Sequence, residues 1–225
     1  MRFKMPQSEV LHLKPRYSCP KKWYGSSYGG FYLNPKWLGK SSIVYSFGIG
    51  KDISFDKAII KNHQCHVYGF DPTPVSINYT KSLKPNPYFH FYEYGIASVS
   101  KKEKFYLPVH KKGISGSMVA NEYVNLKNFI EVEMKSLKDI MDMLGHSQID
   151  VLKIDIEGAE YEVLESIMAS DIMIKQLLVE FHDRFFKDEI KSVHTVEMLK
   201  KKGFEIFAAS MNYEEISFIN TKMLI

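Results

Sequence analysis

Ile43-Val44-Tyr45-Ser46-Phe47-Gly48-Ile49-Gly50-Lys51-Asp52 is a short β-branched and aromatic run that breaks into a glycine turn and then a polar helix start. Its composition predicts a buried strand over Ile43–Phe47. A helix is expected from about Asp52 to Asn62, with Ile53, Phe55, Ile59 and Ile60 on one apolar stripe. The alternation then repeats. A strand at His66–Phe70 ends in Asp71-Pro72, and a helix follows from about Thr73, where Pro72 and Pro74 suit a first turn. Further strands are expected at Phe89–Tyr94, Val151–Ile156 and Gln176–Phe181, and helices at Ser136–Leu144, Gly158–Met168 and about Glu189–Lys202. Two more extended pieces, Glu103–Val109 and Phe129–Lys135, flank a polar loop, Lys111–Asn121. The chain closes on an apparent hairpin, Phe204–Ala209 with Glu215–Ile219. Strands alternating with helices in this way predict an α/β domain: a seven-stranded, mostly parallel sheet with helices on both faces and an antiparallel edge hairpin.

Outward from this core, residues 1–42 differ in character. Trp23, Tyr24, Tyr28, Phe31, Tyr32 and Trp37 sit among Gly25, Gly29 and Gly30, so this part is expected to form an N-terminal cap or lid on one globular unit, 43–225. The 225 residues are 45% hydrophobic, enough for a sizeable core, which excludes intrinsic disorder. Thirty basic against 26 acidic residues leave a formal charge of only +4, and 27 of the 30 are lysines. Readers of phosphate and base edges favour the forked guanidinium, so no nucleic-acid partner is expected. The longest stretch without Asp, Glu, Lys or Arg, Trp23–Pro35, is too short and polar for a membrane span of about 20 apolar residues. Met1–Pro6 lacks the apolar core of a signal peptide, and Cys19 and Cys65 have no ligand spacing. A soluble protein of the cytoplasm, a reducing compartment, is the expectation.

In an open α/β sheet the ligand lies at the carboxyl ends of the strands, near the point where strand order reverses. Gly48 and Gly50 let the backbone approach a ligand there, but Ile53 occupies the place of the third glycine in a dinucleotide fingerprint. Asp52, at the helix start, would repel a pyrophosphate. It tolerates S-adenosylmethionine, which has no phosphate and carries a sulfonium and an ammonium. Asp71, 21 positions after Gly50 and at the end of the second strand, is placed to accept ribose hydroxyls; the alternative is a helix cap.

Three segments carry a resemblance: Tyr45–Asp56, Gly69-Phe70-Asp71-Pro72-Thr73-Pro74 and Asp150-Val151-Leu152-Lys153-Ile154-Asp155-Ile156-Glu157-Gly158-Ala159-Glu160-Tyr161. They resemble the successive motifs of the FkbM family of S-adenosylmethionine-dependent methyltransferases, in order, over roughly Tyr24 to His182. The resemblance implies a Rossmann-like class I methyltransferase acting mostly on hydroxyls, often of sugars or polyketide-like products. It also implies that Gly48 and Gly50 lie under the methionine portion, Asp71 on the ribose, and Gly95-Ile96-Ala97 beside the adenine. The Ser115-Gly116-Ser117 loop, with Ser117, and Tyr28 from the opposite side are expected to close over the cofactor. The chain is expected to stand alone or as one domain of a larger glycan-assembly polypeptide.

Methyl transfer to an oxygen is an in-line displacement that also requires removal of the hydroxyl proton. Asp155 and Glu157 are two apart at one strand exit, Glu180 and His182 two apart at the next, and alternate residues of a strand share a face. Asp155 is the expected general base and also borders the cofactor, with Glu180 and His182 completing the catalytic set. An unperturbed imidazole suits His182 to proton transfer near neutrality. Asp155, Glu157 and Glu180 together also offer oxygen ligands for a hard divalent ion such as magnesium. Three other functions stay open: a nucleic-acid methyltransferase using Lys101, Lys102, Lys104, Lys111 and Lys112; a cofactor-binding scaffold without catalysis; and a nicotinamide oxidoreductase. The leading expectation is an O-methyltransferase of a glycan or glycosylated small molecule.

Overall fold

The computed structural model describes residues 10–109, 116–119, 124–186 and 189–223. Met1–Pro6, Lys111, Lys112 and Ser115, singled out above, lie outside them, as does most of the 111–121 loop. A short hairpin comes first, β1 (Lys22–Tyr24) and β2 (Phe31–Leu33), followed by β3 (Ile43–Phe47), α1 (Ser54–His63), β4 (His66–Phe70), α2 (Pro74–Lys81), β5 (Phe89–Tyr92) and β6 (Gly95–Ile96). The chain continues through β7 (Lys101–Pro108), β8 (Val124–Lys135), α3 (Leu137–Leu144), β9 (Gln148–Ile154), α4 (Glu160–Ala169) and β10 (Met173–Glu180). It ends with α5 (Lys191–Lys202), β11 (Phe204–Ala209) and β12 (Glu215–Asn220).

Among the described residues the main sheet has seven strands in the order β5-β4-β3-β9-β10-β12-β11. The first five run parallel, whereas β12 lies antiparallel to both β10 and β11. This is the expected α/β architecture, edge hairpin included. Strand order reverses between β3 and β9, and that places the crevice of an open sheet at the ends of these two strands. The strands are apolar enough to be buried on both faces: Val44, Tyr45 and Phe47 of β3 and Val151, Leu152 and Ile154 of β9 are all sealed from solvent. Local signals set the helix starts. Thr73 accepts from Ser76 N–H with Pro74 in the first turn, and Ser136 accepts from Asp139 N–H.

Two features are not apparent from hydrophobic period alone. Glu103–Val109 and Phe129–Lys135 are not loose extensions: β7 and β8 pair antiparallel, and β6 joins β8 in parallel to make a second, three-stranded sheet. The N-terminal segment, for its part, is built into the core. Tyr24, Phe31 and Leu33 pack with Phe55, Ile59, Val67 and Val151 against one side of the main sheet, while Tyr17, Tyr32 and Trp37 cover Phe207 and Ile219 near its edge. No helix among the described residues is long and apolar enough to cross a membrane.

Cys65 is fully buried, and that burial pushes its thiol pKa up to about 11. Only the thiolate alkylates readily. In the native protein Cys65 is expected to resist iodoacetamide at pH 8 and to react once urea unfolds the chain, as peptide mass mapping of the two samples would show.

Candidate active site

A cavity of about 340 Å³ opens at the carboxyl ends of β3, β4 and β9, beside the reversal of strand order. Its floor is the turn after β3, where Gly48 and Gly50 both take left-handed backbone angles, φ +82° and +53°. The reasons differ. A Cβ on Gly48 would run into the backbone carbonyl of Asp155, which leaves β9 alongside, whereas one on Gly50 would meet nothing within 4 Å. Gly48 is therefore required by the packing of two strand ends, and Gly50 keeps the cavity wall open. Ile49, Phe70, Val75, Ile96 and Met134 supply apolar lining, and Tyr28, Asp52, Asp155 and Glu157 line the cavity as well.

Asp71 borders the cavity but is already heavily engaged by its own chain. One carboxylate oxygen accepts from the Ile49 and Gly50 N–H groups, each at 3.0 Å, and the other from Thr73 N–H at 2.9 Å and Thr73 Oγ1 at 2.6 Å. Four donors match the four lone-pair positions of a carboxylate. The expected binding of ribose hydroxyls would have to share these positions, so in this structure Asp71 serves first to hold the glycine turn. Asp52 does similar work on the opposite side. It accepts from Ser54 N–H at 2.7 Å and from Ser26 Oγ at 2.6 Å, tying the β1–β2 loop to the start of α1. Burial would raise its pKa, but these hydrogen bonds hold it below the ordinary carboxylate value. Tyr28 lies on that tied loop, 63% exposed, at the cavity.

Ala97 and Ser117, expected at the cofactor, do not line the cavity; their neighbours Gly95, Ile96, Gly116 and Met118 do. The Ser117 hydroxyl donates to the Glu157 carbonyl at 2.6 Å and accepts from Val119 N–H, so it anchors the turn after β9. Glu157 in that turn has φ +52°, a strained setting for a side chain.

The two acidic exits do converge, though by a different route from strand alternation. Regular strand geometry stops at Ile154 and Glu180, and turns carry Asp155, Glu157 and His182 together. His182 Nε2 lies 3.4 Å from Glu157 Oε2, 3.6 Å from Glu180 Oε1 and 3.9 Å from Asp155 Oδ1. On the other side of the ring, Nδ1 lies 3.2 Å from Glu160 Oε1, which also accepts the His182 backbone N–H at 2.9 Å. Burial alone would lower the His182 pKa, but the charges of Glu160, Glu157 and Glu180 outweigh it and raise the value to about 10. This corrects the expectation of an unperturbed imidazole: with these neighbours alone the ring is a cation at neutral pH, wholly buried and away from the cavity wall. Glu180 also lies behind the wall. Burial, reinforced by the charge of Asp155, raises its pKa well above the usual carboxylate range.

Sequence reasoning passed over Lys153 and Glu160. Lys153 is buried at the cavity floor, donates to the Gly48 carbonyl at 3.0 Å and lies 3.7 Å from Asp155 Oδ2. Its signal was legible as a charged residue inside the apolar run Val151–Ile154, where burial has to be compensated.

Strand order, the glycine turn at the reversal point and the acidic far end of the cavity define a class I, Rossmann-like methyltransferase. The chain belongs to the FkbM methyltransferase family, whose domain matches residues 35–206. It is similar to probable methyltransferase-like protein 24 of Homo sapiens, 28% identical over 145 residues covering 64% of this chain and 33% of that protein. The rat (Rattus norvegicus) counterpart is 28% identical over 179 residues, covering 75% and 43%. The chain thus spans less than half the length of these curated relatives. Among solved structures it overlaps fibrillarin of Aeropyrum pernix with bound S-adenosyl-L-methionine (TM-score 0.45, 9% identity, 92% of this chain and 85% of that one). It also overlaps the fibrillarin pre-rRNA processing protein of Methanococcus jannaschii (TM-score 0.46, 10% identity, 91% and 84%). Likeness of that extent says nothing of substrate.

Two substitutions separate the roles of the glycines. Gly48→Ala is expected to cost about 2–4 kcal/mol in urea denaturation, because strand ends must move apart, and Gly50→Ala only about 1 kcal/mol, from backbone strain. Asp71→Asn is expected to lower the stability of the ligand-free protein by about 1–3 kcal/mol, since an amide cannot accept all four donors. An unchanged urea midpoint would remove Asp71 as the holder of the turn.

Proposed function

We propose that this chain is an S-adenosylmethionine-dependent O-methyltransferase that modifies a hydroxyl of a glycan or glycosylated small molecule. The observation that carries the reading is one cavity lined together by the glycine turn, apolar side chains and the Asp155 carboxylate. The residues fit the cofactor. A volume of about 340 Å³ lies in the range of small-molecule sites, apolar walls suit an adenine, and Asp52 and Asp155 favour the ammonium and sulfonium charges. When bound, S-adenosylmethionine supplies an electrophilic methyl group.

The chain's own residues then have distinct tasks. Asp155 takes the proton from the acceptor hydroxyl as the oxygen attacks, and Lys153, at 3.7 Å, steadies the carboxylate. Tyr28 offers an exposed ring at the cavity on which the apolar face of a sugar can rest. His182 and Glu180, behind the wall, position Asp155 without touching the acceptor.

A neutral acceptor is favoured over a polyanion by the setting of the lysine run. Lys102 and Lys104 lie across from Glu133 and Glu131 on β8, and Lys101 pairs with Glu103 at 2.6 Å. Lys200, Lys201 and Lys202 close α5, where cations suit the negative end of the helix.

Asp155→Asn is expected to retain S-adenosylhomocysteine binding in calorimetry and to lose about 100-fold or more of turnover with a responsive sugar acceptor, followed by mass spectrometry. Near-normal turnover would remove Asp155 as the base. Cofactor binding by the wild type with no transfer to any hydroxyl in the screen would favour a scaffold without catalysis.

A further inference from the structure

We propose that Asp155, Glu157 and His182, with Glu180 beside them, form a binding site for one first-row divalent metal ion of the Mn²⁺ kind, with Glu160 orienting the histidine. The inference deepens the proposed function and rests on it for the ion's task; binding of the ion rests on the geometry of the cluster.

The histidine is the telling member. Its ring is wholly buried, and Nε2 has no hydrogen-bond partner among the described residues. A buried nitrogen left without a partner is costly, and this one is aimed at three carboxylates. Nothing about the ring's orientation is loose. Glu160 is itself sealed from solvent: one oxygen takes the His182 backbone N–H and faces Nδ1, and the other takes Gly158 N–H at 2.9 Å. A carboxylate that receives one ring N–H and so directs the other nitrogen outward is the recurring support of metal-binding histidines.

The spacing agrees. A charge-assisted hydrogen bond would draw Nε2 to about 2.8 Å from a carboxylate oxygen. The observed separations are 3.4, 3.6 and 3.9 Å. Two atoms each about 2.1 Å from a common ion, at an angle between square and tetrahedral, lie roughly 3.0–3.4 Å apart. Ligand atoms of Asp155, Glu157 and His182 all lie within 4.8 Å of one another, so a small inward movement of the side chains closes the shell.

Charge argues the same way. Four carboxylates surround one imidazole. Among the described residues, Lys153 lies 3.7 Å from Asp155 and Arg184 pairs with Glu214 at 2.7 Å. A dication at the centre of the cluster would add positive charge where these carboxylates meet. Mixed carboxylate and imidazole ligation points to Mn²⁺ or a similar ion in place of the magnesium expected from an all-oxygen set. Asp155 and Glu157 border the cavity while Glu180 and His182 lie behind, so an ion held by them would lie at the cavity wall, where it could lower the pKa of an acceptor hydroxyl. Asp155 Oδ1 faces the ion and Oδ2 faces Lys153, which leaves the second oxygen for the proton.

The test is calorimetric titration of the full chain, stripped with EDTA and desalted, with MnCl₂, and a separate titration with S-adenosylhomocysteine in EDTA. One Mn²⁺ per chain is expected, with affinity weakened at least about tenfold in Asp155→Asn and in Glu157→Gln. Both residues are partly exposed, and thermal melts of the metal-free variants check that they fold. Absence of Mn²⁺ binding by protein that binds S-adenosylhomocysteine would overturn the metal site and leave the methyltransferase reading intact. Mn²⁺ binding undiminished in both variants would overturn it too, by placing the ion elsewhere. Mn²⁺ binding that the variants lose, in a chain that does not bind S-adenosylhomocysteine, would support the site and count against the proposed function.

Discussion

Where β3 and β9 end side by side, the backbone at Gly48 lies against the backbone at Asp155 too closely for any side chain to stand between them. Much of the site follows from that contact. It brings the glycine turn and the acidic exit of β9 to one cavity, and it lets Lys153 reach the Gly48 carbonyl from β9 while remaining near Asp155. The turn is then held by Asp71 from β4 and, through Asp52, by the β1–β2 loop. Three separate stretches of chain thus keep one short turn in a left-handed conformation, as expected where strain is compensated by its surroundings.

The polar end follows a different logic. Burying ionised groups costs several kcal/mol each unless they are paired. The chain meets this cost by layering: Glu160 against His182, His182 against the acids at the two strand exits, and Lys153 against Asp155. The layers behind the cavity wall position the groups that line it. A rigid scaffold of this kind keeps the carboxylates at the cavity wall in one place.

The aromatic N-terminal segment joins the two halves of the argument. Its bulk is core, with Tyr24, Phe31 and Leu33 filling the space beside α1 and the sheet, and its loop tip reaches the cavity with Tyr28. One segment therefore packs into the core and borders the cavity.

Much of this protein was legible in its sequence. The apolar runs at 43–47, 66–70 and 204–209 match the observed strands end for end, because short buried strands bounded by Gly, Asp or Pro carry strong local signals. The order of elements, the glycine turn and the motif around Asp155 pointed to the methyltransferase class and its family before any contact was known. Tertiary structure alone decided how the side chains are used. Asp71 turned inward to four donors of its own chain, Ser117 to the Glu157 carbonyl, and Glu160, a residue of the α4 helix, to His182, 22 positions away. Local pattern reports which groups stand at a strand end, whereas their partners, burial and charge state come from chain segments that meet only when the sheet is assembled.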